Sequence, residues 1–269
     1  MGGALSARFD LEAPSFPPLL SGRIVAPGLD PFDAAVEAAR AGEDSGAVFW
    51  TAEPDLLRVA VVLAPDVPRA PSLGMHFVTA VGLNDALGAL GPEKTGMMHL
   101  WPDGVMVNGA LAGHVRTLLA PCAADEVPDW LATGVALSLR FPRGLAPGAA
   151  PRFTALSEEG CGDLTAAQII ESWSRHFLTW LHRWETDGPR PVFDAWLNRA
   201  AGRSEDAAFE IAGAALQGRL LGLAEDGSAT LRAGDAARVF PLDAALAQPT
   251  PWPPAEFAQA GMSRWEGAR

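Results

Sequence analysis

The stretch Trp101-Pro102-Asp103-Gly104-Val105-Met106-Val107-Asn108-Gly109-Ala110-Leu111-Ala112-Gly113 decides the fold prediction for this chain. Asn-Gly is a preferred two-residue hairpin loop because both residues tolerate positive φ. We therefore expect a hairpin whose arms are 105–107 and 111–119. Pro102-Asp103-Gly104 predicts a turn before it, and 97–101 a strand that leads into the turn.

The same stretch resembles the signature of the biotin/lipoate protein ligases, which reads Lys-Trp-Pro-Asn-Asp followed by Asn-Gly-Lys-Leu-Ala-Gly. That family joins a vitamin acid to ATP. Both signature lysines are replaced, by Leu100 and Ala110. The resemblance covers roughly residues 30–245 and also rests on Thr133-Gly134-Val135 and Trp184-Glu185. It implies an α+β fold in which helices flank a mixed or antiparallel sheet.

The sequence on either side of the hairpin predicts helices and strands that agree with such an α+β fold. Asp30 and Pro31 predict the start of a helix over 31–41, and Asp163 or Thr165 that of a long helix with an apolar stripe. We further expect strands over 48–50, 56–64 and 131–141 and helices over 73–90 and 191–201. The aromatic residues of the long helix favour core packing over a cofactor site.

The strand predicted over 131–141 has two unlike faces. Bulky residues alternate with the small residues Ala132, Gly134, Ala136 and Ser138. The small face suits either a ligand that lies against it or a closely packed helix.

Short strands over 217–223, 229–231 and 238–242 are typical of a small SH3-like β-barrel. We therefore divide the chain into an extended N-terminal segment over 1–29, a ligase-like domain over 30–213, the small barrel over 214–247 and a proline-rich tail over 248–269.

Composition excludes several classes of partner. The net charge of −12 disfavours a nucleic-acid partner, because such binding draws on clustered Lys and Arg. The apolar run over 56–64 contains Arg58 and is far shorter than the roughly 20 residues that span a bilayer, so we expect no membrane partner. We expect a cytoplasmic protein without room for an N-terminal DNA-binding module. Cys122 and Cys161 lack zinc-site spacing, and we assign no metal site.

The family chemistry needs cations near the phosphates of ATP. The resemblance places the family's Gly-Arg-rich loop at residues 42–50, which contain two acids and no arginine. Lys94, the single lysine, lies too far along the chain to substitute. Asp103 is either a turn residue or a magnesium ligand, and we favour the turn.

His114 and Arg116 face the same way because strand side chains alternate. If that face lines a pocket, they could clamp a carboxylate or phosphate; at a sheet edge, they would be solvated. The candidate ligand-binding residues are Trp101, Asp103, Asn108, Gly109, Ala110, Ala112, Gly113, His114, Arg116 and Gly134. No catalytic residue is assigned.

Three functions remain open. The first is a ligase-like protein that binds a biotin- or lipoate-like acid, or its carrier domain, with lost or altered adenylation chemistry. The second is an active ligase in which Arg58, His114 and Arg116 replace the lysines, with ATP, magnesium and biotin, lipoate or octanoate as its ligands. The third is a non-catalytic interaction scaffold, and the sequence leaves a homodimer open.

Overall fold

The structure is a computed structural model that describes residues 13–26, 28–93, 95–141, 150–211 and 213–247. Lys94, the predicted tail over 248–269 and most of the segment after the strand at 131–138 lie outside the described residues.

A seven-stranded mixed sheet is the centre of the fold, and helices flank it, as the sequence predicted. Its spatial order is β1-β2-β3-β7-β6-β5-β4. β1 runs parallel to β2, and every other neighbouring pair is antiparallel. The strands are β1 (Ser21–Ile24), β2 (Ala47–Trp50), β3 (Leu56–Leu63), β4 (Met97–Leu100), β5 (Gly104–Val107), β6 (Ala110–Leu119) and β7 (Leu131–Ser138).

One face of this sheet is covered by helix α1 (Pro31–Arg40). Asp30 is its N-cap, since a carboxylate oxygen accepts a hydrogen bond from the backbone N–H of Phe32 at 2.8 Å. The helix buries Phe32 and Val36 in a small core with Val62 and Ala132. The predicted start of this helix at Asp30 is confirmed.

The opposite face carries the main core. Five further α-helices follow in the described part of the chain: α2 (Arg69–Ser72), α3 (Met75–Leu90), α4 (Ala166–Asp187), α5 (Arg190–Leu197) and α6 (Leu242–Leu246). A 3-10 helix covers Leu156–Glu159. Thr165 and Gln168 form a capping box at the start of α4, which confirms Thr165 as the cap. Trp173, Phe177 and Trp196 are fully buried, so the aromatic residues of α4 and α5 belong to the core.

Residues Arg69–Leu90 are long and apolar enough to cross a membrane, but 78% of the most apolar window is buried inside the protein. That burial is expected of a central helix in a folded core. Within this stretch the predicted helix over 73–90 begins at Met75, and a short helix that the sequence did not indicate, Arg69–Ser72, precedes it. A Cβ atom at Gly74 would collide with the ring of Trp184, so glycine lets α4 pack closely there.

Two other predicted elements end early because their backbone groups bond elsewhere. The strand over 131–141 stops at Ser138, since the N–H groups of Leu139 and Arg140 both donate to the carbonyl of Asp55. The helix over 191–201 stops at Leu197, since the segment after it pairs with β4: His99 donates to Arg199, and Ala201 donates to His99.

A second, four-stranded antiparallel sheet follows α5, in the order β11-β10-β9-β8. Its strands are β8 (Ala207–Ile211), β9 (Ala214–Leu223), β10 (Ala229–Ala233) and β11 (Ala236–Phe240). β8 was missed in the sequence because Ala207 and Ala208 have low strand propensity. Closure of this sheet into an SH3-like barrel stays a prediction, as do the four domain boundaries.

Candidate functional site

The predicted hairpin is confirmed and lies at one end of the main sheet. β5 pairs with β6, and Asn108 and Gly109 close the turn with φ values of 48° and 88°. The side chain of Asn108 accepts a hydrogen bond from the Gly96 N–H at 2.8 Å and donates one to Glu159 at 2.6 Å. Asn108 therefore fixes the hairpin to its neighbours.

The predicted site residues separate into four groups. Trp101, Asp103, Gly113 and His114 line one cleft, whereas Arg116 and Gly134 line another. Ala112 is buried in the main core. Asn108, Gly109 and Ala110 belong to the turn end of the hairpin.

Gly113 and Gly134 are needed by the sheet itself. A Cβ atom at Gly113 would collide with the carbonyl oxygen of Ala136, and one at Gly134 would collide with the carbonyl oxygen of Val59. Close packing of strands thus explains both glycines, and a ligand is not required to account for them.

The first cleft, which we call the hairpin cleft, has a cavity volume of about 40 Å³. It is lined by Trp101, Asp103, Gly113 and His114 from the hairpin region, together with Arg152 and, from β8, Glu210. The two sheets therefore share a cleft that the sequence did not indicate, because its walls come from distant parts of the chain.

His114 is 4% exposed at this cleft. Its pKa is lowered from 6.5 to about 3, chiefly by burial and further by the charges of Arg116 and His76. The imidazole is consequently neutral near pH 7 and does not supply the positive charge that a clamp for an anion would need.

The second cleft, which we call the arginine cleft, has a cavity volume of about 10 Å³ and lies over the small residues of β7. Gly134 and Ala136 form part of its lining, and Asp30, Phe32, Arg58 and Arg116 surround them. The packing of α1 over Ala132 agrees with the helix alternative for the small face of β7. A cleft opens over Gly134 and Ala136, and a ligand there stays a prediction.

Arg116 is held by the first turn of α1. Its guanidinium donates to Asp30 at 3.1 Å and to Asp33 at 3.0 Å, and it lies over the ring of Phe32 at 4.1 Å from the centroid. Two carboxylates therefore neutralise this cation. The sequence did not indicate these partners, which are more than 80 residues away.

Arg58 has a carboxylate partner of its own. It donates to Glu53 at 2.5 Å, with side-chain exposures of 16% and 19%. Glu53 belongs to residues 51–55, which join β2 to β3, whereas residues 42–50 contain a turn and β2. The assignment of the family's Gly-Arg-rich loop to residues 42–50 stays a prediction.

Sheet register places Arg58, His114 and Arg116 around two small residues of β7. Ala136 is paired with Arg58 on one side and His114 on the other, and Arg116 is paired with Gly134. Because side chains two residues apart share a face, Arg58, His114 and Arg116 lie on the α1 face of the sheet. The common orientation predicted for His114 and Arg116 follows from this register.

His76 supports the hairpin from the other face of the sheet. Its Nε2 donates to the Pro102 carbonyl at 2.9 Å, so its Nδ1 accepts a hydrogen bond from the Thr117 hydroxyl at 3.1 Å. Burial lowers its pKa from 6.5 to about 4, although the bond to Pro102 acts in the opposite direction. Its position at a helix start gave no sign of this role.

Among the residues that the structure describes, no three His, Cys, Asp or Glu side chains are grouped so that they could hold a metal ion. Asp103 has an interaction partner and lies in the turn before β5, 5% exposed.

Comparison with known proteins agrees with this fold. The sequence model of the Biotin/lipoate A/B protein ligase family matches residues 16–198, and the chain belongs to that family. A biotin--[acetyl-CoA-carboxylase] ligase of Paracoccus denitrificans is 27% identical over 185 residues, which cover 67% of this chain and 75% of the relative.

Solved structures give the same result. A biotin protein ligase-like protein of unknown function from Silicibacter sp. TM1040 is 38% identical, with a TM-score of 0.76 that covers 86% of this chain and 97% of the other. The biotin protein ligase of Aquifex aeolicus in complex with biotin and ATP is 13% identical, with a TM-score of 0.60 over 82% of this chain and 93% of that one, which supports the fold alone.

Proposed function

We propose that this protein binds a small carboxylic acid of the biotin or lipoate type, free or on its carrier domain, at the arginine cleft and does not activate it with ATP. The observation that carries the proposal is the pairing of both candidate replacement arginines with carboxylates. Arg58 is paired with Glu53, and Arg116 with Asp30 and Asp33.

Charge argues against the adenylation step. Activation of a carboxylate by ATP builds negative charge on phosphate oxygens, which preplaced cations must offset. The signature lysine positions hold Leu100 and Ala110, and three carboxylates face the two arginines of the arginine cleft. A polyphosphate at that cleft would therefore meet excess negative charge, which is unfavourable by an energy on the order of 1 kcal/mol or more.

A single carboxylate is repelled less strongly by these acidic groups than a polyphosphate would be. The side chain of Asp33 is 65% exposed, so its ion pair with Arg116 is worth only about 0–1 kcal/mol. An incoming carboxylate can take the place of Asp33 on Arg116, while Asp30 keeps its own bond. Phe32 supplies an apolar surface beside the exchanged group.

Isothermal titration of biotin, lipoate and octanoate, each without ATP, tests the proposal. We expect at least one acid to bind, Arg116→Met to abolish the binding, and Asp33→Asn to strengthen it because the competing charge is removed. Absence of binding by all three acids, or binding that Arg116→Met leaves unchanged, would contradict the proposal.

A second function is supported by the register that groups Arg58, His114 and Arg116 around Ala136 and Gly134. In an active ligase these residues would stabilise the phosphates in place of the lysines. Pyrophosphate release from ATP and magnesium with any of the same acids, lost in Arg58→Met and Arg116→Met, would favour this function over simple binding.

A further inference from the structure

A third cleft, which we call the junction cleft, lies where the C-terminal sheet meets the main core. Its walls come from α2, the segment between β6 and β7, the turn between β9 and β10, and α6. Leu73 and Leu242 line it and belong to the main core, so the junction cleft and the arginine cleft lie on opposite faces of the main sheet. The polar residues of its lining are Arg69, Asp226, Ser228 and Asp243.

The junction cleft is larger than the two clefts described above. Its cavity volume is about 110 Å³, compared with about 40 Å³ for the hairpin cleft and about 10 Å³ for the arginine cleft. One water molecule needs roughly 10–15 Å³, whereas pockets for drug-sized ligands begin near about 300 Å³. The junction cleft therefore has room for a small molecule.

One cation and two anions line the junction cleft without pairing with each other. Within the described part of the chain, the guanidinium of Arg69 has no hydrogen bond or ion pair. Asp226 accepts a hydrogen bond from the Ser228 N–H at 3.0 Å, and Asp243 accepts one from the Ala244 N–H at 2.7 Å. In each case a single carboxylate oxygen is used, so the other oxygen can accept from a ligand.

Ser228 adds a buried hydroxyl to this lining. The residue is 4% exposed, and its hydroxyl has no hydrogen-bond partner among the residues that the structure describes. Most buried polar side chains in proteins are paired, and a ligand in the cleft would supply the missing partner. A hydroxyl can donate as well as accept, so it suits a carboxylate or an ammonium group.

The turn that carries Asp226 and Ser228 is fixed by the core. Gly227, between them, has a φ of 78°, and a Cβ atom there would collide with the ring of Phe77 and with Leu242. This close approach holds the turn against α3 and α6. The polar groups of the turn are therefore in position before a ligand arrives, which lowers the cost of binding.

The charges of the lining select the class of ligand. A plain anion would be attracted by Arg69 but repelled by two carboxylates, and a plain cation would be repelled by Arg69. We propose that the junction cleft binds a small zwitterion, an α-amino acid with a short side chain, whose carboxylate pairs with Arg69 and whose ammonium group pairs with Asp226 and Asp243. This site is separate from the arginine cleft and does not depend on the proposed function.

Alanine, propionate and ethylamine are matched probes, because propionate is alanine without the ammonium group and ethylamine is alanine without the carboxylate. Titration calorimetry of the full chain near neutral pH should show alanine binding at least about tenfold more tightly than either of the others. Arg69→Met and Asp243→Asn should each weaken the binding of alanine by at least about tenfold. Arg69→Met should keep the urea midpoint of the unaltered protein, because no ion pair is lost.

Two further variants serve as controls. Arg175→Met removes an exposed arginine of α4 outside the junction cleft, and Arg116→Met removes the cation of the arginine cleft. Both should leave the binding of alanine unchanged. Failure of alanine to bind, or equal binding of propionate or ethylamine, would overturn this inference. Loss of binding in Arg116→Met but not in Arg69→Met would also overturn it. The proposed function is judged separately, by the titrations of biotin, lipoate and octanoate.

Discussion

Arg116 on β6 and Phe32 on α1 are in direct contact, with the guanidinium carbon 4.1 Å from the centroid of the phenyl ring. The contact joins the first turn of α1 to the middle of the sheet, and Asp30 and Asp33 hold the same guanidinium from either side. The arginine cleft is bounded by this group, so its stability and its capacity for a ligand depend on the same few contacts.

Arg116→Met should lower the free energy of unfolding by about 1–2 kcal/mol, because it removes two ion pairs and a partly buried cation–π contact. Urea denaturation measures the change. Asp33→Asn removes only the exposed partner and should cost less than about 0.5 kcal/mol. Equal losses in the two variants would contradict the view that the inner contacts, to Asp30 and Phe32, dominate.

Asp30 has two roles that a pair of substitutions separates. Asp30→Asn keeps a side-chain oxygen that can cap α1, whereas Asp30→Ala removes the cap and the ion pair together. Because an N-cap is worth about 1 kcal/mol, we expect Asp30→Ala to be less stable than Asp30→Asn by roughly that amount. Thermal unfolding of both proteins checks the difference, and identical midpoints would show that the cap contributes nothing.

Three buried histidines should make the protein sensitive to acid. The pKa of His76 is lowered from 6.5 to about 4, and those of His99 and His114 to about 3, in each case chiefly by burial. Below pH 6.5 the unfolded chain therefore binds more protons than the folded protein, and the free energy of unfolding falls as the pH decreases from about 6.5 towards 3. The contribution of the neutral histidines to the free energy of unfolding is fully present above pH 6.5.

Urea denaturation between neutral and mildly acidic pH measures that slope. His76→Gln should flatten it, because the amide does not titrate. The exposed His182 on α4 supplies the control, and His182→Gln should leave the slope as it is in the unaltered protein. An unchanged slope in His76→Gln would contradict the conclusion that the lowered pKa of His76 contributes to the pH dependence of the free energy of unfolding.

Two glycines of α3 should respond in opposite ways to the same substitution. A Cβ atom at Gly88 meets nothing within 4 Å, so Gly88→Ala should stabilise the protein by about 0.5–1 kcal/mol. At Gly82 the added atom would lie 3.1 Å from the backbone of Phe177 on α4, so Gly82→Ala should destabilise by about 1–3 kcal/mol. Calorimetric midpoints that move in the same direction would contradict the close approach of α3 and α4.

Short sequence motifs predicted the parts of the fold that depend on contacts between residues close together in the chain. Asp30 and Thr165 cap their helices through hydrogen bonds that span two or three residues, and Asn108-Gly109 closes its turn without distant help. Such features are visible in a short window of sequence, and the order of elements together with the hairpin letters was enough to indicate the family.

The site was harder to predict because its contacts are long-range. Arg116 meets carboxylates more than 80 residues away, and the hairpin cleft takes Glu210 from a strand that the sequence did not indicate. His76 contacts Pro102 across 26 residues through a ring nitrogen whose role depends on that partner. Periodicity gives the face on which a side chain lies, but not which distant group it meets there.

The hairpin cleft has one wall from the hairpin and another from Glu210 on β8. Mutations in the C-terminal sheet can therefore change the shape of this cleft while the amino-acid sequence of the hairpin stays the same. The hairpin sequence is thus a better guide to the fold than to the shape of the cleft that the hairpin borders.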